Sequence, residues 1–199
     1  MTSKSKDNIL KQIFVTRTHG FLDVSLKKDL FNDLSKSFNG EFSMKHTSDN
    51  VLETLNISIP YKNRIIEISE SDTRPLKFQI SSDSLQDFEL LISQKDTFDK
   101  MLKIIRKPTI EVGRKDFDDH FVIKSNRSDL AKQLILDEIQ NYLLKYNVYS
   151  ISIETDRKLN KTSLISVISR TFNDKKSYED MIMLHQLLID NLDKQMIIK

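Results

Sequence analysis

The chain contains no cysteine and no tryptophan, and only three glycines and three prolines in 199 residues. Without cysteine there is no disulfide framework, no thiolate nucleophile and no thiolate metal site, so stability has to come from apolar burial. The glycines stand alone at Gly20, Gly40 and Gly113. Neither a GxGxxG turn nor a GxxxxGK loop can be built from them, which excludes nucleotide binding by those two motifs. Long apolar runs are also missing: Met181-Ile182-Met183-Leu184 is typical of what occurs, whereas a spanning helix needs about 20 apolar residues. The opening Met1 to Asn8 carries charge without the apolar stretch of a secretory signal. It reads as a frayed tail, and the expected location is cytoplasmic.

No sign of charge dominates. Lys and Arg number 31 against 29 Asp and Glu, a formal net charge of +2. Residues 1–95 carry 13 basic and 13 acidic side chains and residues 96–199 carry 18 and 16, so neither half is a basic module. What is plentiful is apolar bulk. Leu, Ile, Val and Phe supply 64 of the 199 residues, near a third, well above the level of about 20% below which chains stay disordered. The chain is expected to fold, as one large or two small domains on the usual scale of roughly 100 to 150 residues each.

The apolar pattern changes period along the chain. Val24, Leu30, Phe31, Leu34 and Phe38 recur at spacings of three and four before Asn39-Gly40, which predicts a helix with a left-handed stop. The period then becomes two: Phe42 and Met44; Leu55, Ile57 and Ile59; Ile66 and Ile68; Phe78 and Ile80. With Phe88 to Ile92 these predict an antiparallel meander of about five strands. Thr97 to Arg106 reads as a short helix stopped ahead of Pro108. The stretch from Lys107 to Gly113 is the expected junction. Beyond it, Phe117, Phe121 and Ile123 share parity on a predicted strand, and Asn126 is placed to cap a helix that bends at Leu136, where Asp137 and Gln140 recap it. Tyr149 to Glu154 and Leu164 to Ile168 form a predicted hairpin. A last helix, capped by Asp174 or Ser177, carries Tyr178, Met181, Ile182, Leu188, Ile189 and Leu192 on one side.

One segment resembles a known pattern. Phe117, Asp118, Phe121, Ile123, Ser125, Asn126, Ala131, Leu134 and Ile135 match F-D-x-x-F-x-V-x-S/T followed by an Asp/Asn-capped Ala/Leu helix. That pattern is similar to one in uncharacterised bacterial domain-of-unknown-function proteins. The likeness spans Phe117 to Leu144, and Asp137-Glu138 stands where the pattern often restarts its helix with T-P-E. It implies a bacterial domain of unassigned function with no catalytic residues to carry over. Packing and capping account for the same residues by themselves.

Chemistry-bearing constellations are few. Asp116, Asp118 and His120 share parity, but on a strand they lie about 6 to 7 Å apart on a solvent-facing side, too spread to converge on one ion. His185 sits between Met181 and Ile189 at the edge of an apolar stripe, where a boundary histidine is the default. No G-x-S-x-G or H-E-x-x-H occurs. No catalytic, metal or cofactor residue is therefore assigned, and no cofactor is expected. Lys100, Lys103, Arg106, Lys107, Arg114 and Lys115 stand against Glu111 alone, a patch that can meet phosphates of an anionic polymer. Few aromatics interleave with it, so base stacking is poorly served and nucleic acid is not an expected partner.

The residues predict an α+β fold of two lobes, each an antiparallel sheet backed by helices. Residues 1–18 are a tail or short strand, 19–108 the first lobe and 109–199 the second. The function expected is a non-enzymatic binding or assembly module, with a protein partner or self-association. The alternatives are a small-molecule or lipid-binding domain with an apolar cavity, and an anionic-polymer binder.

Overall fold

The computed structural model describes residues 24–46, 53–71, 74–95, 109–169 and 171–199. Helix α1 (Val24–Ser37) leads into β1 (Glu41–His46), β2 (Glu53–Tyr61), β3 (Arg64–Ser71), β4 (Arg74–Asp83) and β5 (Glu89–Gln94). There follow β6 (Thr109–Ile110), α2 (Lys115–His120), β7 (Phe121–Ser125), α3 (Ser128–Leu134), α4 (Asp137–Tyr146), β8 (Ser150–Asp156), β9 (Lys161–Ile168) and α5 (Lys175–Lys194). The predicted tail and the predicted helix from Thr97 to Arg106 lie outside the described residues.

The α+β class is as expected, but the described strands form one sheet rather than two. Its order is β1-β2-β3-β4-β9-β8-β5-β7-β6, and each neighbouring pair is antiparallel. The seam between the expected lobes is a full strand pairing, β4 on β9 from Leu76↔Ile168 to Asp83↔Lys161. The meander is correspondingly shorter than expected. β5 leaves β4 and inserts between β8 and β7, with Leu90 opposite Ile153 on one side and Ser125 on the other. The physical reason is in its composition. Leu90, Leu91 and Ile92 are all buried, an unbroken apolar run that suits a strand covered on both faces, and β7 and β8 pair its backbone on either side.

One face of the sheet carries the core. Leu55, Ile57, Ile59, Ile66, Ile68, Leu76, Phe78, Ile80, Leu164 and Ile168 alternate inward and join the buried faces of the helices in a single cluster. Helix α5 lies along this face and also packs on α1, α3 and α4. Its Tyr178, Met181, Ile182, Leu188, Ile189 and Leu192 are buried as the periodicity predicts, and the Asp174 carboxylate accepts the Ser177 amide at 2.8 Å as the cap.

Two local expectations fail for identifiable reasons. Lys115–His120 is helix, not strand. Phe117 and Phe121 are four apart, a spacing that satisfies both periods, and their rings pack 4.8 Å apart across the helix end. Asn126 does not cap α3. Its Oδ1 accepts the Glu89 amide at 2.8 Å and so fixes the start of β5. The bend at Leu136 is present, with Leu136 extended at ψ 159° between α3 and α4, and the Gln140 amide donates to the Ile135 carbonyl at 2.9 Å across it.

Three helices end in the same way. After α1 the Gly40 amide reaches the Ser35 carbonyl (2.7 Å), after α4 the Val148 amide reaches Leu143 (3.1 Å), and after α5 the Ile197 amide reaches Leu192 (2.9 Å). Each return bond needs one left-handed residue just past the helix. Those residues are Asn39 (φ 52°), Asn147 (φ 47°) and Met196 (φ 54°). Asparagine tolerates this conformation; an unbranched apolar side chain gains nothing from it. Gly40 is also constrained from outside, because a Cβ there would stand 2.6 Å from the Ser58 carbonyl oxygen.

Candidate functional site

Four members of the predicted basic patch, Lys100, Lys103, Arg106 and Lys107, lie outside the described residues. Of the remaining two, Arg114 is committed to neighbours. Its Nε and Nη2 meet the Asp116 carboxylate at 2.7 and 2.9 Å, and its Nη1 donates to Asn141 at 2.5 Å. The Arg114 hydrogen bonds to Asp116 hold that carboxyl below the usual carboxylate range. Lys115 is exposed. The trio Asp116, Asp118 and His120 separates: Asp118 accepts the Val112 and Gly113 amides at 3.0 and 2.8 Å, while His120 meets Asn147 at 2.8 Å. Helical geometry turns them to different tasks.

An open cleft of about 440 Å³ lies at the α3–α4 bend, lined by Val112, Lys132, Ile135, Leu136, Asp137, Glu138 and Gln140. Its polar walls are surface charges of both signs, and its depth is limited by the buried Ile135 and Gln140.

Several interior polar groups contact one another. Lys27, from α1, contacts Glu70 at 3.2 Å and the Tyr178 hydroxyl at 2.5 Å, and also donates to the Phe172 carbonyl. The Tyr178 hydroxyl donates to Glu70 at 2.5 Å. Burial raises the Tyr178 phenol far above its ordinary value, and the charge of Glu70 adds to this. Burial also lowers Lys27, outweighing Glu70. His185 is not a boundary residue but fully buried, stacked on Phe78 with ring centroids 4.4 Å apart. Its Nδ1 lies 2.6 Å from the Met181 carbonyl, an acceptor, so Nδ1 carries the proton and Nε2 accepts from the Ser166 hydroxyl at 2.8 Å. Burial pushes it down to about 4. Asp180 receives Lys145 at 2.8 Å, Lys176 at 2.7 Å and the Tyr146 hydroxyl. Burial works to raise the Asp180 carboxyl, but these hydrogen bonds outweigh it and leave it well below the ordinary range.

A different kind of site lies at one end of the sheet. Three segments meet there: the β4–β5 connection, the β8–β9 turn and the chain after α5. The Ser84 amide bonds the Asn160 carbonyl at 3.0 Å, the Leu85 amide bonds Ile197 at 2.9 Å, and the Gln86 side chain donates to the Gln195 and Met196 carbonyls at 2.9 and 3.1 Å. Each segment presents one large apolar side chain to solvent: Leu85 is 54% exposed, Leu159 69% and Met196 69%. Sequence reasoning missed this grouping, since the three residues are far apart in the chain. The one local signal is Met196, an apolar residue at a position where Asn39 and Asn147 close the other helices.

No family model and no curated protein matches the chain. Among solved structures it is similar to the mycobacterial trehalose monomycolate transport factor A, TtfA, with a TM-score of 0.53 at 8% sequence identity, over 82% of this chain and 93% of that one. At this identity the likeness concerns the fold. None of the helices among the described residues is long and apolar enough to cross a membrane.

Proposed function

We propose that the chain is a non-enzymatic binding or assembly module that works through the sheet end bearing Leu85, Leu159 and Met196. The observation that carries this reading is the convergence of three well-exposed apolar side chains from separate segments that are pinned together by backbone hydrogen bonds. The interior supports it from the other side. Lys27, Glu70, Tyr178, His185 and Asp180 join helices to the sheet or to one another, which is a scaffold's use of polar groups. The cysteine-free sequence makes the test direct. A photo-crosslinker on Leu159→Cys should capture a partner in extracts of the source cell, and the same label on Met183→Cys, exposed on α5, should not. Equal capture at both positions, or a Leu159→Cys label that captures neither a protein nor a lipid, would remove the reading.

The second reading is a domain that holds an apolar or lipid ligand. It is favoured by the fold likeness to TtfA, a trehalose monomycolate transport factor. Lipid retained in native mass spectra of the purified protein would support it; a bare protein mass would count against it.

A further inference from the structure

Met196 occupies a position that its own side chain does nothing to stabilise. The return hydrogen bonds that end α5 come from the Met196 and Ile197 amides to Asp193 and Leu192, and the apolar contact that accompanies such an ending belongs to the buried Leu192 and Ile197. Glycine or asparagine would close the helix at less conformational cost, as Asn39 and Asn147 do elsewhere in the fold. What methionine adds is an outward apolar side chain beside Leu85 and Leu159. A residue kept in a conformation it does not favour, and left exposed, points to a role outside the fold.

The charges around this end indicate what it meets. Its anions are largely engaged. Asp83 pairs with Lys161 at 2.7 Å, Asp87 with Arg157 at 2.5 Å and Asp193 with Arg64 at 2.6 Å. The Asp156 carboxylate accepts the Lys158 and Leu159 amides at 2.8 and 3.2 Å. Lys158, Lys194 and Lys199 are exposed; Lys158 adjoins Leu159, Lys194 is two residues before Met196, and Lys199 is three residues after it. Among the described residues none of the three closes an ion pair within 4 Å, although the charge of Lys199 helps to lower the Asp83 carboxyl. Arg64, Arg157, Lys158, Lys161, Lys194 and Lys199 thus stand against Asp83, Asp87, Asp156 and Asp193, so the side-chain charge at this end is positive on balance. Apolar side chains on turns with exposed lysines near them complement a surface that is anionic outside and apolar just beneath.

We infer that this end of the sheet docks on an anionic lipid bilayer, with Leu85, Leu159 and Met196 entering the boundary between headgroups and acyl chains and Lys158, Lys194 and Lys199 meeting the headgroups. The inference rests on the binding-module reading and names the class of surface bound. It needs no spanning segment, because the protein lies on the membrane rather than through it.

The test is co-sedimentation of the full chain with phosphatidylcholine vesicles, with and without about one third phosphatidylglycerol. The chain should partition onto the anionic vesicles only, and added salt should release it. Met196→Gly and Leu159→Asn should each weaken partitioning about tenfold, the loss expected when one buried apolar side chain is removed. Lys158→Glu combined with Lys199→Glu should abolish it. Met196→Gly also separates binding from folding, since glycine is at ease at φ 54° and the variant should melt no lower than the parent. Failure to partition at low salt, equal partitioning onto neutral vesicles, or unchanged partitioning of the Met196→Gly chain would each overturn the inference. A dimer lost in Met196→Gly with no vesicle binding by the parent would assign this end to self-association instead. Crosslinks from Leu159→Cys to a protein without vesicle binding would sink the membrane inference and leave the module reading standing.

Discussion

Strand β3 and helix α5 are tied at both ends, and the two ties differ in how much water reaches them. At one end Glu70 of β3 meets Tyr178 of α5 and Lys27 of α1, with the Glu70 and Lys27 side chains 0% and 5% exposed. At the other, Arg64 of β3, itself 4% exposed, grips Asp193 of α5 through Nη1 at 3.1 Å and Nη2 at 2.6 Å, and the water reaches the pair from the side of Asp193, which is 26% exposed. Lys62 and Asp190 stand beside it, each close to half exposed and 2.6 Å apart. The same chemistry thus has two settings. A partner lost at the wet end can be replaced by solvent, whereas at the dry end the survivor is left charged in an apolar surround.

Breaking the dry tie should give the largest effect. Among the described residues, Glu70→Ala leaves the Lys27 ammonium hydrogen-bonded to the Tyr178 hydroxyl and the Phe172 carbonyl, with Asp174 as the remaining anion acting on it, and is expected to destabilise the fold by about 3 to 5 kcal/mol, read from urea unfolding. The double variant Lys27→Met, Glu70→Leu removes both charges, and most of that loss should return. A double variant as unstable as the single one would show that the charge is not what makes the site demanding.

His185 offers a second dry group, and its effect depends on pH. In the unfolded chain it titrates near 6.5 and in the fold near 4, because burial disfavours the charged ring. Between those values the unfolded state binds more protons, so stability rises with pH across this window. The contribution is complete above about 6.5 and is lost as pH falls towards 4, amounting to on the order of 3 kcal/mol. Unfolding midpoints measured from pH 7.5 to 4.5 in the parent and in His185→Gln should converge on the acid side. Parallel curves would mean that His185 does not carry the dependence.

The alternating segments were readable as strands, and their inward residues Ile57, Ile68 and Phe78 occupy the core as the period of two requires. The helices α1, α4 and α5 were readable from spacing, down to the bend at Leu136. Strand order was not. That β5 leaves the meander is written only in its unbroken Leu90-Leu91-Ile92, a run that gives burial on both faces but no neighbour. Polar residues on apolar stripes were the other blind spot. Lys27 and Glu70 are 43 positions apart, and His185 looks like an edge residue until Ser166 on β9 is brought to its Nε2 by the sheet. Such pairs are made by tertiary contact, and local periodicity carries no trace of them. The apolar end, with Leu85, Leu159 and Met196, was hidden for the same reason.

The wet tie sharpens the contrast with the smallest change. In Asp193→Ala the Arg64 guanidinium keeps its Nε bond to the Ser82 hydroxyl at 2.8 Å. Its Nη atoms then face the space that Asp193 leaves open to solvent. Water takes over two hydrogen bonds there, so the loss is expected to be about 1 kcal/mol, below that of Glu70→Ala, and to shrink when salt is added. Arg64→Ala should exceed it, because it also removes the Nε donor to the Ser82 hydroxyl, which keeps only its own bond to the Lys199 carbonyl, and a side chain packed along the sheet. If Asp193→Ala proved as damaging as Glu70→Ala and insensitive to salt, the rim would be as dry as the interior. The distinction between the two ends of β3 would then have to be sought in geometry rather than in access to water.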